Sequence, residues 1–375
     1  MISLYFHIPF CTKKCDYCHF YVIPDKPPFQ ALLIEGLSRD IALWQPQLAG
    51  KKLASIYFGG GTPSLLAPEA IFSLIESVRK IIHFNPDEIE ITLEANPETL
   101  SIERMREYAA AGVNRVSIGI QSLDDRLLMK LGRTHHASTA IDAVNEVSQA
   151  GISNISIDLM YDIPGQTLAT WLETLKLVEQ LPITHLSLYN LTIEPHTVFF
   201  KYREALKKEL PDAECSTLMY RQAVEILESY GLAQYEISAF SRNGKISIHN
   251  SGYWTGRPFI GFGPSAFSYW EGKRFRAVAN LNHYVQALRE GRSPIDFSEE
   301  LEEEPHRREL LAIALRMRCG VDLTTFETVN GTLSATTQKS LSKLEEQGLL
   351  EKQGNVLRLT QQGILFYDTI AVELI

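Results

Sequence analysis

The chain is poor in cysteine, with five in 375 residues. That odd number, with no secretory segment ahead of it, argues against a framework of structural disulfides. It also lacks any basic excess. A formal net charge of −9 argues against a general binder of nucleic acid or of anionic membrane surfaces. No apolar run approaches the length that crosses a bilayer, so an integral membrane protein is not expected. Residues 1–9 carry no basic n-region and are too short for a signal peptide. Together these absences lead us to expect a cytoplasmic protein, in a compartment where thiols stay reduced. The length allows one large domain and a smaller one.

Three of the five cysteines are concentrated in one place. Cys11, Cys15 and Cys18 form a C-x3-C-x2-C run in Phe10-Cys11-Thr12-Lys13-Lys14-Cys15-Asp16-Tyr17-Cys18, directly after a short apolar strand. Structural zinc usually takes two such pairs, and no second pair exists here. Thiolates this close on one loop suit an iron–sulfur cluster. A [4Fe–4S] cube held by only three thiolates keeps one iron open to a small molecule, which makes a reactive site rather than a simple electron store. Cys215 and Cys319 have no cysteine or histidine nearby at ligand spacing and read as packing residues.

The first half repeats a β-branched run, a polar loop and an amphipathic stretch. Strands are expected over 2–7, 53–58, 88–94, 113–120, 152–160 and 184–191, and helices over 29–44, 68–83, 102–111, 137–150 and 167–181. Strands alternating with helices imply an α/β fold with a parallel sheet. In such folds the chemistry sits on loops leaving the carboxyl ends of the strands. There the chain places the cysteine loop, Gly59-Gly60-Gly61-Thr62-Pro63, Glu94, Gln121 and Asp158. The glycines either let backbone approach a ligand or only make a tight turn. Arg133 offers a planar fork to a carboxylate, although it and its strand-end neighbours would also read as surface groups.

Beyond residue 200 the alternation fades. Residues 231–304 are rich in aromatics and glycine and end in an acidic stretch, 296–304, expected to link two domains across solvent. Residues 305–375 read as helix, turn, helix, hairpin and helix, an order that resembles a winged helix. Its candidate recognition stretch, 337–346, balances two lysines with two glutamates, so DNA binding is not expected. Domains are therefore placed at 1–230, 231–304 and 305–375.

The cysteine spacing, with Tyr17 just before the third thiol, resembles the radical S-adenosylmethionine (SAM) superfamily. The wider set is similar to the oxygen-independent coproporphyrinogen oxidases and their HemW-type relatives. The matching strings are Tyr5-Phe6-His7-Ile8-Pro9-Phe10-Cys11, Phe58-Gly59-Gly60-Gly61-Thr62-Pro63, Glu94-Ala95-Asn96-Pro97, Ser117-Ile118-Gly119-Ile120-Gln121, Leu131-Gly132-Arg133 and the run from Ile157 to Thr167. The resemblance covers nearly the whole chain. It implies a partial (β/α)6 radical SAM barrel with a small C-terminal winged-helix-like α+β domain. It further implies a [4Fe–4S] cluster on Cys11, Cys15 and Cys18, with SAM chelating the fourth iron. Tyr5, Tyr17, Gly60, Gly61, Thr62, Glu94, Gln121, Arg133 and Asp158 would then contact SAM or its loop.

Two departures separate the chain from the oxidase branch. Phe20 stands where the oxidases continue to a fourth cysteine, and the oxidases carry an extension ahead of the first strand. Both favour the HemW branch, which resembles haem-binding chaperones that deliver haem to an acceptor protein such as a membrane respiratory complex. Oxidative decarboxylation of coproporphyrinogen III to protoporphyrinogen IX is the alternative, so the chain's standing as an enzyme stays open. His249-Asn250-Ser251-Gly252-Tyr253-Trp254 looks like the H-N-x-x-Y-W motif of that branch. His249 would be a haem ligand, or else a hydrogen-bonded core histidine.

Overall fold

The computed structural model describes residues 1–375. Six parallel strands form its centre: β1 (Ile2–Ile8), β2 (Leu53–Gly60), β3 (Glu90–Ala95), β4 (Arg115–Gln121), β5 (Asn154–Tyr161) and β6 (His185–Asn190). They follow one another in space as they do in sequence. Each crossover carries helix, as short parallel connections require. The principal helices are α1 (Pro27–Leu48), α2 (Pro68–Arg79), α3 (Ile102–Ala110), α4 (Asp125–Lys130), α5 (Ala137–Gln149) and α6 (Leu168–Val178).

Period-2 alternation decides what faces where. Leu4, Phe6, Ile56, Phe58, Ile91, Leu93, Val116, Ile118, Ile155 and Ile157 are fully buried in a continuous core of 71 residues. The intervening positions are polar: Ser3, Tyr5, Ser55, Tyr57, Glu90, Thr92, Glu94, Arg115, Ser117, Ser156 and Asp158. They bond to one another across strands, as in Ser55 to Ser3 (2.9 Å), Tyr57 to Glu94 (2.7 Å) and Ser117 to Asp158 (3.3 Å). The inner face of the barrel is thus a polar column within an apolar shell.

The segment after residue 230 builds both flanks of the same sheet. Strands β7 (Ala233–Glu236) and β8 (Ala239–Ser241) extend it antiparallel beyond β6. On the other side β9 (Phe259–Phe262) runs parallel to β1, followed by antiparallel β10 (Phe267–Trp270), β11 (Lys273–Ala277) and β12 (Ile295–Glu300). The twelve-stranded order β12-β11-β10-β9-β1-β2-β3-β4-β5-β6-β8-β7 does not close. Much of the acidic stretch is therefore an edge strand rather than a link across solvent. Lys273, Arg274 and Arg276 on β11 pair with Glu300 (2.9 Å), Glu299 (2.6 Å) and Asp296 (3.0 Å) on β12. Opposite charges on neighbouring strands support the pairing that a solvent linker would not have.

The helix α7 (Ala213–Ser229) packs on the barrel, and α8 (Ile248–Trp254) crosses its amino-terminal end. There Glu90 accepts from the backbone N–H groups of Ile248 (2.8 Å) and His249 (2.9 Å). After α9 (Leu281–Arg289), the C-terminal region comprises α10 (Glu303–Ala314), α11 (Leu323–Asn330), α12 (Ala335–Glu346) and a three-stranded sheet. In that sheet β13 (Val321–Asp322) and β14 (Leu350–Gln353) flank β15 (Val356–Leu359), and α13 (Gln361–Leu365) and α14 (Tyr367–Leu374) follow. Gly354, at φ +62°, turns the β14–β15 hairpin. Arg316 joins this region to the barrel: it donates to Glu236 (3.1 Å) and lies 4.2 Å from the centre of the Trp254 ring.

Candidate cluster and cofactor site

The cysteine loop leaves β1 and is closed at its base. Phe10–Cys11 pairs in parallel with Ile23–Pro24, and Ile23 donates to the carbonyl of Pro9 (2.7 Å). The barrel holds its tip, because Asp16 donates to the carbonyl of Leu131 (3.2 Å) and accepts through its own carbonyl from Phe199 (3.0 Å). All three thiols line one cavity of about 440 Å³. No group of three or more His, Cys, Asp or Glu side chains converges closely enough for a single metal ion. Three thiols that share a cavity without meeting at a point suit a cube whose irons each take one thiolate. Burial pushes the Cys11 thiol up to about 11 and raises that of Cys18. A bound metal reverses that preference and releases the protons.

The wall opposite the thiols is built by the strand ends. Gly60 has φ +109°, and a Cβ there would fall 2.5 Å from the His7 ring. At Gly61 a Cβ would fall 2.6 Å from the carbonyl oxygen of Phe10. The fold itself therefore demands glycine at both positions, and the same bareness opens the backbone to the cavity. The N–H of Gly60 donates to Glu94 Oε2 (3.0 Å) and the hydroxyl of Tyr57 to Oε1 (2.7 Å). Burial, with the charge of Asp158 adding to it, pushes the Glu94 carboxyl up to about 7. Asp158 is raised by burial too, while the Ser117 hydroxyl donates to its carboxylate (3.3 Å).

On β4 the register with β5 slips between Gly119 and Gln121, where Gln121 takes φ +69°. A bulge of this kind re-aims a side chain at the end of a strand. Arg133, on the loop after α4, donates to the carbonyl of Gly119 (2.6 Å), to Asn96 Oδ1 (2.9 Å) and to Cys15 Sγ (3.5 Å). Its Nε is buried without a partner. An orphaned guanidinium N–H beside the thiols is a fitting donor for a ligand carboxylate. These residues fit a cluster with an amino-acid-bearing cofactor beside it.

All of the expected residues line this cavity except Tyr5 and His249. Tyr5 lies behind the glycine turn, its hydroxyl 3.0 Å from His7 Nδ1 and its ring stacked on Tyr57. It supports the wall rather than forming it. His249 lies at the amino-terminal end of the barrel, on α8. Its Nδ1 is 2.9 Å from Ser55 Oγ and its Nε2 is 2.9 Å from the Tyr253 hydroxyl. Burial, with Arg257 and Arg115 nearby, lowers its pKa to about 3. With both ring nitrogens engaged, His249 as folded has none to offer a haem iron, and the motif reads instead as a structural knot. Tyr57 and Ser117 were not singled out as contributors. Ser117 belongs to one of the matching strings, and both sit on the inward side of their strands by simple alternation.

An open parallel barrel with three thiols on the loop after its first strand defines a radical SAM protein. The Radical SAM superfamily model matches residues 5–178, and the HemN C-terminal domain model matches residues 301–366. The chain belongs to the HemW family of that superfamily. It is 34% identical over 373 residues to the heme chaperone HemW of Bacillus subtilis, covering 99% of this chain and 98% of the relative. It is 33% identical to the mitochondrial radical S-adenosyl methionine domain-containing protein 1 of Bos taurus, covering 100% of this chain and 87% of the relative. Coproporphyrinogen III oxidase (HemN) of Escherichia coli shares its fold, with a TM-score of 0.86 at 24% identity over 100% of this chain and 89% of that one.

Proposed function

We propose that this chain is a haem chaperone: it carries a [4Fe–4S] cluster on Cys11, Cys15 and Cys18, binds SAM beside it, takes up haem and passes it to an acceptor protein. The observation that carries this reading is the convergence of the three thiols, Gly60, Glu94, Arg133 and Asp158 on one cavity, in a chain whose near-full-length relatives include several named heme chaperones. When bound, cluster and SAM supply one-electron reductive chemistry at the SAM sulfonium.

The chain's own residues hold and orient. The orphaned Nε of Arg133 receives the SAM carboxylate. Glu94, pinned by Tyr57 and Gly60, accepts from the SAM ammonium group. Asp158 accepts from a ribose hydroxyl, and Gly60 and Gly61 let the backbone approach the methionine part. Haem transfer itself need turn over no substrate, and the residues that hold SAM and the cluster would then serve to regulate or trigger it. The chain works from the cytoplasm on an acceptor such as a membrane respiratory complex, and none of its helices is long and apolar enough to cross a membrane. The oxidase reading has the fold in its favour, but Phe20 replaces the fourth cysteine of that branch.

Anaerobic reconstitution tests the reading. The parent should hold about four irons per chain, bind haem at one equivalent and pass it to a haem-free b-type protein. Cys11→Ala, Cys15→Ala and Cys18→Ala should each lose the cluster. Full cluster content in those variants, or no haem uptake by the parent, would contradict the proposal.

A further inference from the structure

One imidazole borders the cavity, and the fold leaves it idle. His19 and Phe20 follow the third cysteine and are both exposed, Phe20 by 52%. Both line the cavity at its solvent side, with ring centres 4.7 Å apart. The His19 ring takes part in no hydrogen bond or ion pair. By contrast, His7 is held by Tyr5 and Tyr21, His185 by Ser156 and Tyr235, and His249 by Ser55 and Tyr253. Lys13 and Lys14 border the same opening. Lys14 Nζ reaches the carbonyl of Phe20 (3.1 Å), which places a cation beside the exposed ring. Lys13 and Lys14 thus set two ammonium groups on the same loop as His19 and Phe20.

We infer that haem binds at this opening, with His19 as its axial iron ligand, Phe20 against the porphyrin face, and Lys13 and Lys14 toward the propionates. The inference rests on the haem-chaperone reading and replaces His249 as the ligand. Each contact answers one chemical feature of haem. A neutral imidazole ligates iron, an exposed aromatic covers an apolar ring that water would otherwise wet, and two ammonium groups match two carboxylates. The site also lies on the loop that carries the three thiols, so the cluster and haem would share one short segment.

Ferric haem titrated into the cluster-loaded full chain tests this, read by Soret absorbance and by electron paramagnetic resonance of the haem iron. His19→Ala should weaken haem binding by about tenfold or more and remove the imidazole signature, with iron–sulfur content unchanged. His249→Gln should keep both the affinity and the signature. Lys13→Glu with Lys14→Glu should weaken binding of haem but not of its propionate dimethyl ester. A parent that binds haem and a His19→Ala variant with the same affinity and spectrum would overturn the assignment while leaving the chaperone reading intact. Equal losses for haem and its ester in the lysine variant would remove the propionate contacts. A parent that takes up no haem would overturn both readings.

Discussion

At the scale of single residues, the site depends on side chains that are absent as much as on those present. Gly60→Ala would place a methyl group against the His7 ring in a backbone conformation that alanine resists. We expect it to lower stability by about 2 kcal/mol and to abolish SAM binding, as read by urea unfolding and calorimetry. Unchanged SAM affinity would show that the turn does not shape the cofactor wall. Phe20→Cys should not create coproporphyrinogen turnover, because nothing else in the chain changes with it. Protoporphyrinogen formed by that variant and not by the parent would make the fourth cysteine the sole determinant. The cysteines, glycines and acidic strand ends were legible in the sequence because spacing and strand-end position mark them. Tyr5 was not, and for His249 the choice between haem ligand and core histidine stayed open, because a linear motif does not say which end of a barrel its side chains occupy.

At the scale of elements, strands β1 to β6 were legible because β-branched and apolar residues recur along each between turn residues, alternating with the polar side chains of the inner face. The outer strands β7 to β12 were not. They are short, three to six residues each, and in β12 the charges that made 296–304 look like a linker are the ones that pair it with β11. The helix α8 has a role that its motif did not suggest. His249 and Tyr253 bond inside the barrel end, while Trp254 faces Arg316 from the C-terminal region. Arg316→Met should therefore cost about 3 kcal/mol, because it strands the buried Glu236 carboxylate. Adding Glu236→Gln should recover much of that loss in thermal unfolding. A single variant as stable as the parent would show that the Arg316–Glu236 pair does not tie the two regions.

At the scale of the whole molecule, buried ionisable groups set opposing pH slopes. Burial pushes Asp40, whose carboxylate accepts from the Tyr284 hydroxyl (2.6 Å), up to about 7. Between its ordinary value of 3.8 and about 7, the folded chain holds a proton that the unfolded chain has released. Stability from this group therefore falls as pH rises through that window. His7 and His249, lowered to about 4 and about 3 from 6.5, act in the opposite sense. The unfolded chain gains protons below 6.5 that the folded chain refuses, so their contribution falls as pH drops. Asp40→Asn isolates the first effect. Relative to the parent it should gain on the order of 2 kcal/mol between pH 5 and pH 8, measured by denaturant unfolding at each pH. A constant difference would mean that Asp40 is ionised throughout.

Anaerobic turnover decides most directly between a haem carrier and an oxidase. The cluster-loaded chain would be given coproporphyrinogen III, SAM and a reductant, with ferric haem in a parallel sample and products followed by mass spectrometry. The account predicts a full cluster, tightly bound haem and no protoporphyrinogen. Substrate-dependent formation of protoporphyrinogen together with 5′-deoxyadenosine would contradict it.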